Sequence, residues 1–492
     1  MSAHSPAVAT EPAPGLPDAP PQELPPAHRL VIGLLLVSSF VVILNETIMA
    51  VALPRLMADL AISASQAQWL TTAFMLTMAV VIPVTGFLIQ RLNTRPVFTL
   101  AMSLFSAGTL VAALAPGFAM LVVGRIVQAS GTAIMMPLLM TTIMQLVPEQ
   151  SRGKTMGQIS TVISVAPAIG PTLSGLILAV LSWRWLFWLV LPIALASLAL
   201  GLWKIRNVSE PVKAPIDVVS IPLAALGFGS LVYGLNGLGE MALHAPAVSP
   251  WMMLAVGVVV ITLFVLRQIA LRKEDRALLD LGVLAHGRFT IPAAMMATLM
   301  MSMFGVFILL PIFLQNVLGL STLNTGLLLL PGGLIMGLCA PKVGALFDRH
   351  GPLPLVVPGA LLFSALMWAL AFLQPDAPAW LLLVAHIVLS IGLALMFTPL
   401  FTASLGALPP HLYSHGSAVL GTTQQVAGAA GTALYVAIMT MQTASQTAAG
   451  ASAAAATTAG IRTAFLCGAV LSLAAVATAF FVKRPPANPH AG

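Results

Sequence analysis

Apolar segments long enough to cross a lipid bilayer recur fourteen times between residues 30 and 482, and this repetition limits the possible folds more than any other feature. A helix needs about 20 mostly apolar residues to span the hydrocarbon core. Only 7% of the 492 residues are charged and 59% are hydrophobic, so lipid must cover much of the surface. Helices and closed barrels alone satisfy their backbone hydrogen bonds in lipid. The segment lengths therefore predict an all-α integral membrane protein with 14 transmembrane helices.

The predicted spans lie near 30–53, 69–90, 97–115, 118–147, 155–181, 185–203, 217–238, 251–271, 289–315, 323–347, 353–373, 380–404, 417–441 and 463–482. The span near 217–238 is rich in glycine and is the weakest of them. The stretch from Gln442 to Thr458, mostly Ala, Thr and Ser, is predicted to be a loop between the last two spans.

Lysine and arginine are distributed unevenly between the two sides of this topology. Of the 21 basic residues, seventeen fall on the side of the N-terminus, Arg125 lies within a span, and three lie on the other side. Because basic loops stay in the cytoplasm, both termini are predicted to be cytoplasmic, in the inner (cytoplasmic) membrane. The excess positive charge then reports topology, and we expect a lipid bilayer around the protein and no nucleic-acid partner.

Glu46 lies in the middle of the first apolar run, which extends from Leu30 to Leu53. A carboxylate at this depth costs roughly 2.5–3.5 kcal/mol on insertion scales. Hydrocarbon favours its neutral form, so such a group can bind and release a proton as its surroundings alternate between dry and wet. The alternative is a carboxylate held by polar neighbours for helix packing, and we favour proton handling.

Two loops of similar sequence indicate an internal repeat. Gly86 to Arg95 follows the second span, and Gly344 to Gly351 follows the tenth, with the glycines 258 positions apart. The chain is therefore predicted to contain two six-helix halves separated by two additional helices, a 6+2+6 arrangement with a site between the halves. The predicted regions are a disordered cytoplasmic tail (1–27), the N-terminal half (28–206), the two-helix linker (207–285), the C-terminal half (286–484) and a C-terminal tail (485–492).

The second loop resembles the signature G-x-L-x-D-R-x-G of the major facilitator superfamily, through Gly344, Asp348, Arg349 and Gly351. The first loop keeps Arg91 but has Gln90 where the signature has its acid. The resemblance implies the major facilitator fold and a gating role for these loops.

Three helical stretches narrow the resemblance. Leu44 to Pro54 is similar to the first-helix signature of the fourteen-helix drug/proton antiporters of the EmrB/QacA type, with the acid moved from the position of Asn45 to that of Glu46. A step of one residue turns a side chain by about 100°, so its partner need not be the usual one. The start L-N-E-T resembles the lincomycin-exporter branch.

The fourth span carries Arg125, Gln128 and Gly131, similar to the family's R-x-x-Q-G-x-G helix, and the fifth carries Gly170 and Pro171, which resemble its antiporter motif. The resemblance implies proton coupling by Glu46 and Arg125, and bending or gating at the glycines and proline. A purely structural bond from Arg125 to backbone carbonyls remains the alternative.

Polar and thioether side chains within the spans are candidates for the substrate cavity. His386 occupies the position of Gln128 in the second half of the repeat and could move protons, although a hydrogen-bonded packing role is the alternative. Methionines suit varied apolar ligands but also pack ordinary cores. The cavity candidates are Asn45, Gln128, Met135, Gln315, His386 and Gln424.

The sequence contains no metal-binding cluster, phosphate loop or nucleophile–base set, so we expect no enzyme activity, no metal and no cofactor, with the proton gradient as the driving force. The predicted function is proton-coupled efflux of amphipathic, often cationic, drugs. The alternatives are a dedicated exporter of one metabolite or antibiotic and, more remotely, a membrane sensor or scaffold. Whether an envelope protein is a partner is left open.

Overall fold

The computed structural model describes residues 25–62, 64–207, 217, 219–240, 248–274 and 276–484, and these residues form fourteen α-helices. A π-helix at Phe313–Val317 continues the ninth helix, and short 3-10 turns precede the fifth, ninth and thirteenth. The helices are α1 Pro26–Leu60, α2 Ala64–Arg91, α3 Thr94–Ala113, α4 Phe118–Leu146, α5 Arg152–Val180, α6 Trp185–Lys204, α7 Ser220–Glu240, α8 Pro250–Arg272, α9 Gly287–Ile312, α10 Thr322–His350, α11 Leu353–Ala371, α12 Ala379–Gly406, α13 Tyr413–Ala448 and α14 Ala453–Ala479.

The all-α prediction is confirmed, since no β-strand occurs in the described ranges. Thirteen of the helices in those ranges are long and apolar enough to cross a membrane. The remaining one, α7, has a shorter apolar stretch, Ser220–Leu235, which agrees with the weakness of its sequence signal. Parts of the predicted tails and of the two-helix linker lie outside the described residues, and α1 already begins at Pro26.

The predicted loop from Gln442 to Thr458 is wrong. Helix α13 continues to Ala448 and α14 begins at Ala453, so the connection is four residues long. Alanine is the strongest helix former, and its abundance here extends both helices beyond the apolar spans. Gly450, at a φ of 87°, turns the chain, and the Ser452 hydroxyl accepts a hydrogen bond from the Ala455 amide at 3.3 Å to cap α14.

Two six-helix groups, α1–α6 and α9–α14, meet along two seams. We call the face at which α1 begins and α14 ends the termini face. Helices α5 and α10 pack together along the first seam, and α2 and α13 along the second. The hairpin formed by α7 and α8 lies outside both groups, and α7 contacts both α2 and α13.

Candidate functional site

Arg125 is the centre of a buried polar cluster in the N-terminal group. Its side chain is 1% exposed, and its Nη1 donates to Asn45 Oδ1 at 3.2 Å and to Gln128 Oε1 at 2.7 Å. The guanidinium carbon lies 4.0 Å from the ring centroid of Phe74. Gln128 Nε2 in turn donates to Thr109 Oγ1 at 2.8 Å. Helices α1, α2, α3 and α4 thus hold one cation with neutral groups.

Small residues bring α3 and α4 close enough for this cluster to form. A Cβ atom added to Gly108 would collide with the backbone of Gln128, and one added to Gly131 would collide with the backbone of α3 at Ala101 and Phe105. Gly131 is therefore a packing residue in this structure. Glycine allows such contact because it has no side chain.

Glu46 is turned away from the hydrogen-bond network of Arg125. It is half-buried, whereas the preceding residue, Asn45, is fully buried. No hydrogen bond or ion pair within 4.0 Å joins Glu46 to Arg125 among the described residues, although the two groups interact electrostatically. The shift of the acid by one position, seen in the sequence, therefore leaves a neutral amide in contact with the arginine and places the carboxylate outside that contact.

The antiporter-like motif of α5 packs against this segment of α1. A Cβ atom at Gly170 would collide with Thr47 Oγ1, and the Ser174 hydroxyl donates to the carbonyl of Ile48 at 3.0 Å. Helix α5 therefore adjoins the turn of α1 that carries Glu46. The side chain of Pro171 lies outside the described part of the structure.

The remaining cavity candidates occupy different surroundings. Met135 is fully buried in the main apolar core. His386 is buried, its Nε2 donates to the carbonyl of Leu329 at 3.0 Å, and its Nδ1 has no hydrogen-bond partner in the described ranges. Gln424 is half-buried on α13, and Gln315 is half-buried in the π-helix, a feature often found at functional sites.

The loop motif of the C-terminal group joins the two groups at the termini face. Asp348 Oδ1 accepts from the amide of Gly153 at 2.7 Å, and its Oδ2 accepts from the amide of Lys154 at 2.9 Å. These amides lie in the first turn of α5, where the helix leaves its N–H groups unpaired and a negative charge is stabilised. Gly344 allows the contact, because a Cβ atom there would collide with the carbonyl of Gly153.

The N-terminal loop makes the symmetry-related contact with reversed polarity. Gln90 Nε2 donates to the carbonyl of His411 at 2.8 Å, and the shift of 258 positions that relates the repeats carries Gln90 onto Asp348 and Gly153 onto His411. The glutamine side chain has one oxygen, so it cannot present one oxygen to each of two backbone amides as the carboxylate does. Both loops therefore join the two helical groups, but only the contact made by Asp348 involves a charged side chain.

The other motif residues end their helices. Gly351 has a φ of 78°, in the left-handed region that favours glycine, and its amide bonds the carbonyl of Phe347 at 2.8 Å to end α10. Arg91 and Arg349 are exposed in the last turns of α2 and α10, where a positive charge is favourable.

Sequence patterns missed two members of the polar cluster and the partner of Asp217. Phe74 and Thr109 lie on other helices than Arg125, and no local motif connects them. Asp217 accepts a hydrogen bond from the amide of Val219 at 3.3 Å and also pairs with Arg267 across the hairpin. Among the described residues, no three metal-binding side chains come together.

Comparison with known proteins agrees with this architecture. The model of the Major Facilitator Superfamily matches residues 35–432. The lincomycin resistance protein LmrB of Listeria monocytogenes is 39% identical over 460 residues, which cover 92% of this chain and 96% of that protein. The MFS-type transporter YcnB of Bacillus subtilis is 38% identical over 465 residues, covering 94% of this chain and 97% of that protein.

A solved structure shows the same fold at low identity. The human organic anion transporter MFSD10 superimposes with a TM-score of 0.66 and 15% sequence identity, covering 92% of this chain and 100% of that one. The two helical groups, the paired loop motifs and the near full-length relatives lead to one conclusion. The chain belongs to the Major Facilitator Superfamily of membrane transporters, in a drug-exporter-like branch, and is not an enzyme.

Proposed function

We propose that this transporter exports amphipathic, often cationic, small molecules in exchange for protons. The observation that carries the proposal is the half-buried carboxylate of Glu46 near the buried cation Arg125, whose hydrogen bonds go to other side chains. An ionisable group within a membrane span is costly and marks a functional site by default. Because Asn45 accepts the hydrogen bond from Arg125, Glu46 keeps both oxygens available for a proton or a cationic ligand.

The proposed exchange follows from competition at one carboxylate. Ionised Glu46 attracts a cationic substrate, whereas protonation removes that attraction and favours substrate release. The positive charge of Arg125 favours the ionised form of Glu46 through the electrostatic interaction between the two groups. Gly131 and Gly170 allow close helix packing inside the N-terminal group, and Pro171 removes one backbone hydrogen-bond donor from α5, which favours bending of that helix.

We further propose that the termini face is cytoplasmic and that the protein lies in the inner membrane. The topology predicted from the sequence assigns seventeen of the 21 basic residues to that side, which the positive-inside rule makes the cytoplasmic one. Reporter fusions at the two termini and in the connection at residues 449–452 test this orientation. A reporter at that connection that is active in the cytoplasm would contradict it.

Transport by purified protein in liposomes tests the proton-coupled mechanism. A lipophilic cationic dye is followed under an imposed pH gradient, and Glu46→Gln is expected to abolish gradient-driven movement. The matched control is Asp59→Asn, which neutralises another acid of α1 that pairs with Arg55 near the end of the helix. Unchanged dye movement in Glu46→Gln would remove this carboxylate from the mechanism.

A double variant asks whether the position of the acid matters. Asn45→Asp with Glu46→Gln returns the acid to the place where the related signature has it, in contact with Arg125. If one carboxylate near the arginine suffices, proton-driven transport returns. If the acid must be at residue 46, outside the contact with Arg125, transport stays lost.

A dedicated exporter of one compound is the second candidate. Relatives of similar length are named lincomycin resistance proteins, which makes lincomycin the first single compound to test. Resistance to lincomycin without resistance to structurally diverse dyes, in cells expressing the protein, would favour this function over multidrug export.

A further inference from the structure

The seam between α5 and α10 is tightly closed in the half of the bundle next to the termini face. A Cβ atom at Gly157 would collide with the carbonyl of Ala340, and the Thr161 hydroxyl donates to the carbonyl of Gly337 at 2.6 Å. Further along the same helices, Gly333 packs against Ala168. The backbones therefore touch from the termini face to about the middle of α5.

Beyond this point the same helix faces separate. Gly175 follows Ala168 by seven residues and Gly326 precedes Gly333 by seven, which is close to two helical turns. Each glycine therefore lies on the same side of its helix as the residue that makes the close contact. A Cβ atom added to either glycine would meet nothing within 4 Å. The neighbouring side chains of Leu176 and Leu323 are 64% and 63% exposed. A gap lined by apolar and small residues thus opens between α5 and α10 towards the opposite face.

The gap adjoins the proposed proton site. Ser174, next to Gly175, bonds the carbonyl of Ile48 on α1 at 3.0 Å, and Ile48 is two residues from Glu46. A molecule that entered between α5 and α10 would therefore reach the turn of α1 that carries the carboxylate.

The second seam is covered by α7. Ala79 of α2, Val232 of α7 and Ala429 of α13 form one fully buried cluster. Nearer the opposite face, the rings of Trp69 on α2 and Tyr233 on α7 lie 5.8 Å apart. Where the first seam opens, the second is therefore filled by a helix outside the two six-helix groups.

A polar network at the termini face holds this covering helix in place. Asp217 accepts from Arg267 Nε at 2.8 Å and from its Nη2 at 2.7 Å, joining the start of α7 to α8. Gln268 Nε2 donates to Ser220 Oγ at 2.6 Å, and Gln268 Oε1 accepts from the amide of Leu279 at 3.1 Å. The hairpin is thus bound to the connection that leads into the C-terminal group.

We propose that the gap between α5 and α10 is a lateral portal for lipid-soluble amphipathic compounds, and that α7 seals the equivalent opening between α2 and α13. Such compounds would pass between the site near Glu46 and the leaflet at the opposite face. The exposed leucines and the open space at the two glycines suit acyl-like or aromatic groups. This inference rests on the proposed transport function.

Lipid access can be measured without transport. In a variant whose Cys339 and Cys467 are replaced, single cysteines at Gly175, Gly326 or Gly229 receive a bimane label, and the protein is placed in nanodiscs with phospholipids brominated on their acyl chains. A Cβ atom added to Gly229 of α7 would lie 3.7 Å from Val80 Cγ2 of α2, so this position reports on the sealed seam. We expect quenching at 175 and 326 and little at 229.

Asp217→Asn tests the seal itself, because it removes the charge that holds the hairpin. The label at residue 229 should then become quenched, while the labels at 175 and 326 should not change. Equal quenching at all three positions in the unaltered protein, or no quenching at 175 and 326, would overturn the portal.

Transport then tests the route. Gly326→Trp fills open space and is expected to reduce export of a lipophilic dye by a larger factor than export of a water-soluble analogue of the same charge. The control is Val258→Trp on the exposed surface of α8, which should change neither. Equal loss for both dyes would mean that the tryptophan blocks movement of the helices and would contradict the route. If the unaltered protein moves neither dye, the proposed function fails. The quenching experiment still tests the portal in that case, because it measures lipid access without transport.

Discussion

Replacement of Asp348 by asparagine should open the contact between the two groups at the termini face. The carboxylate accepts hydrogen bonds from the amides of Gly153 and Lys154, at 2.7 and 2.9 Å, in the first turn of α5. Asparagine has the same shape but offers one acceptor oxygen and no charge. The variant therefore loses one of the two hydrogen bonds from backbone amides and keeps the other as a hydrogen bond to a neutral group.

The size of the effect follows from these two bonds. A hydrogen bond to a charged group contributes about 1.5–3 kcal/mol, and a neutral one about 0.5–1.5 kcal/mol. Because Asp348 is only half-buried, solvent screening favours the lower values. We expect the closed contact to lose about 1.5–3 kcal/mol, which shifts the ratio of closed to open molecules by roughly 10- to 100-fold.

Gln90→Ala is the matched comparison, because Gln90 occupies the same place in the repeat. Its single neutral bond to the carbonyl of His411 is exposed and should contribute about 0.5–1 kcal/mol. This change corresponds to roughly a two- to fivefold shift in the same ratio. The two variants therefore predict an asymmetry between the loops that comes from the charge of Asp348 and from its second hydrogen bond.

Distances between spin labels measure this ratio directly. Labels at the exposed residues Gln158 of α5 and Lys342 of α10 report on the α5–α10 seam by double electron–electron resonance. We expect a long-distance population that grows strongly in Asp348→Asn and slightly in Gln90→Ala. Equal shifts in both variants, or no shift in Asp348→Asn, would refute the argument that the carboxylate stabilises closure.

Three further outcomes are expected. Gly344→Ala should open the same contact by about 1–3 kcal/mol through overpacking, whereas Gly326→Ala should leave the label distances unchanged, since its Cβ atom meets nothing within 4 Å. Arg125→Lys should lower dye transport in liposomes without loss of expression, because lysine cannot keep two amide bonds and the ring contact together; full activity would contradict this role. Hydrogen bonds from Arg267 hold the pKa of Asp217 below its usual value, so the pair stabilises the hairpin above pH 4 or so and this contribution is lost at lower pH. Asp217→Asn should therefore melt at a lower temperature than the unaltered protein at pH 7, with a difference that shrinks on acidification; a difference independent of pH would exclude the ion pair as its cause.

The neighbours Asn45 and Glu46 show how far local sequence carries a functional argument. The acid could be identified as an intramembrane carboxylate from its run of apolar neighbours, and the angle of about 100° per residue indicated that its partner need not be the usual one. That Asn45 would contact Arg125 depends on how α1 and α4 pack. The close approach of α3 and α4, which completes the cluster, depends on glycines whose contacts are not encoded by any local motif.

The repeat shows a similar division. The shift of 258 positions predicts which loop residues correspond, and it relates the contacts of Asp348 and Gln90 correctly. The reversed polarity of the Gln90 bond, from amide donor to the carbonyl of His411, follows from side-chain chemistry once the helices are in place. The extension of α13 and α14 across the predicted loop was missed because the spans were placed by hydropathy, whereas helix propensity decided the ends.

By itself, the sequence determined that this is an all-α membrane protein with an intramembrane acid, an intramembrane arginine and two related halves, because the cost of charge and of unpaired backbone in lipid leaves few alternatives. Only the tertiary structure decided which seam closes, which opens, and where α7 lies. Those features depend on contacts between helices far apart in the chain, in which single glycines and polar pairs determine how closely two backbones approach.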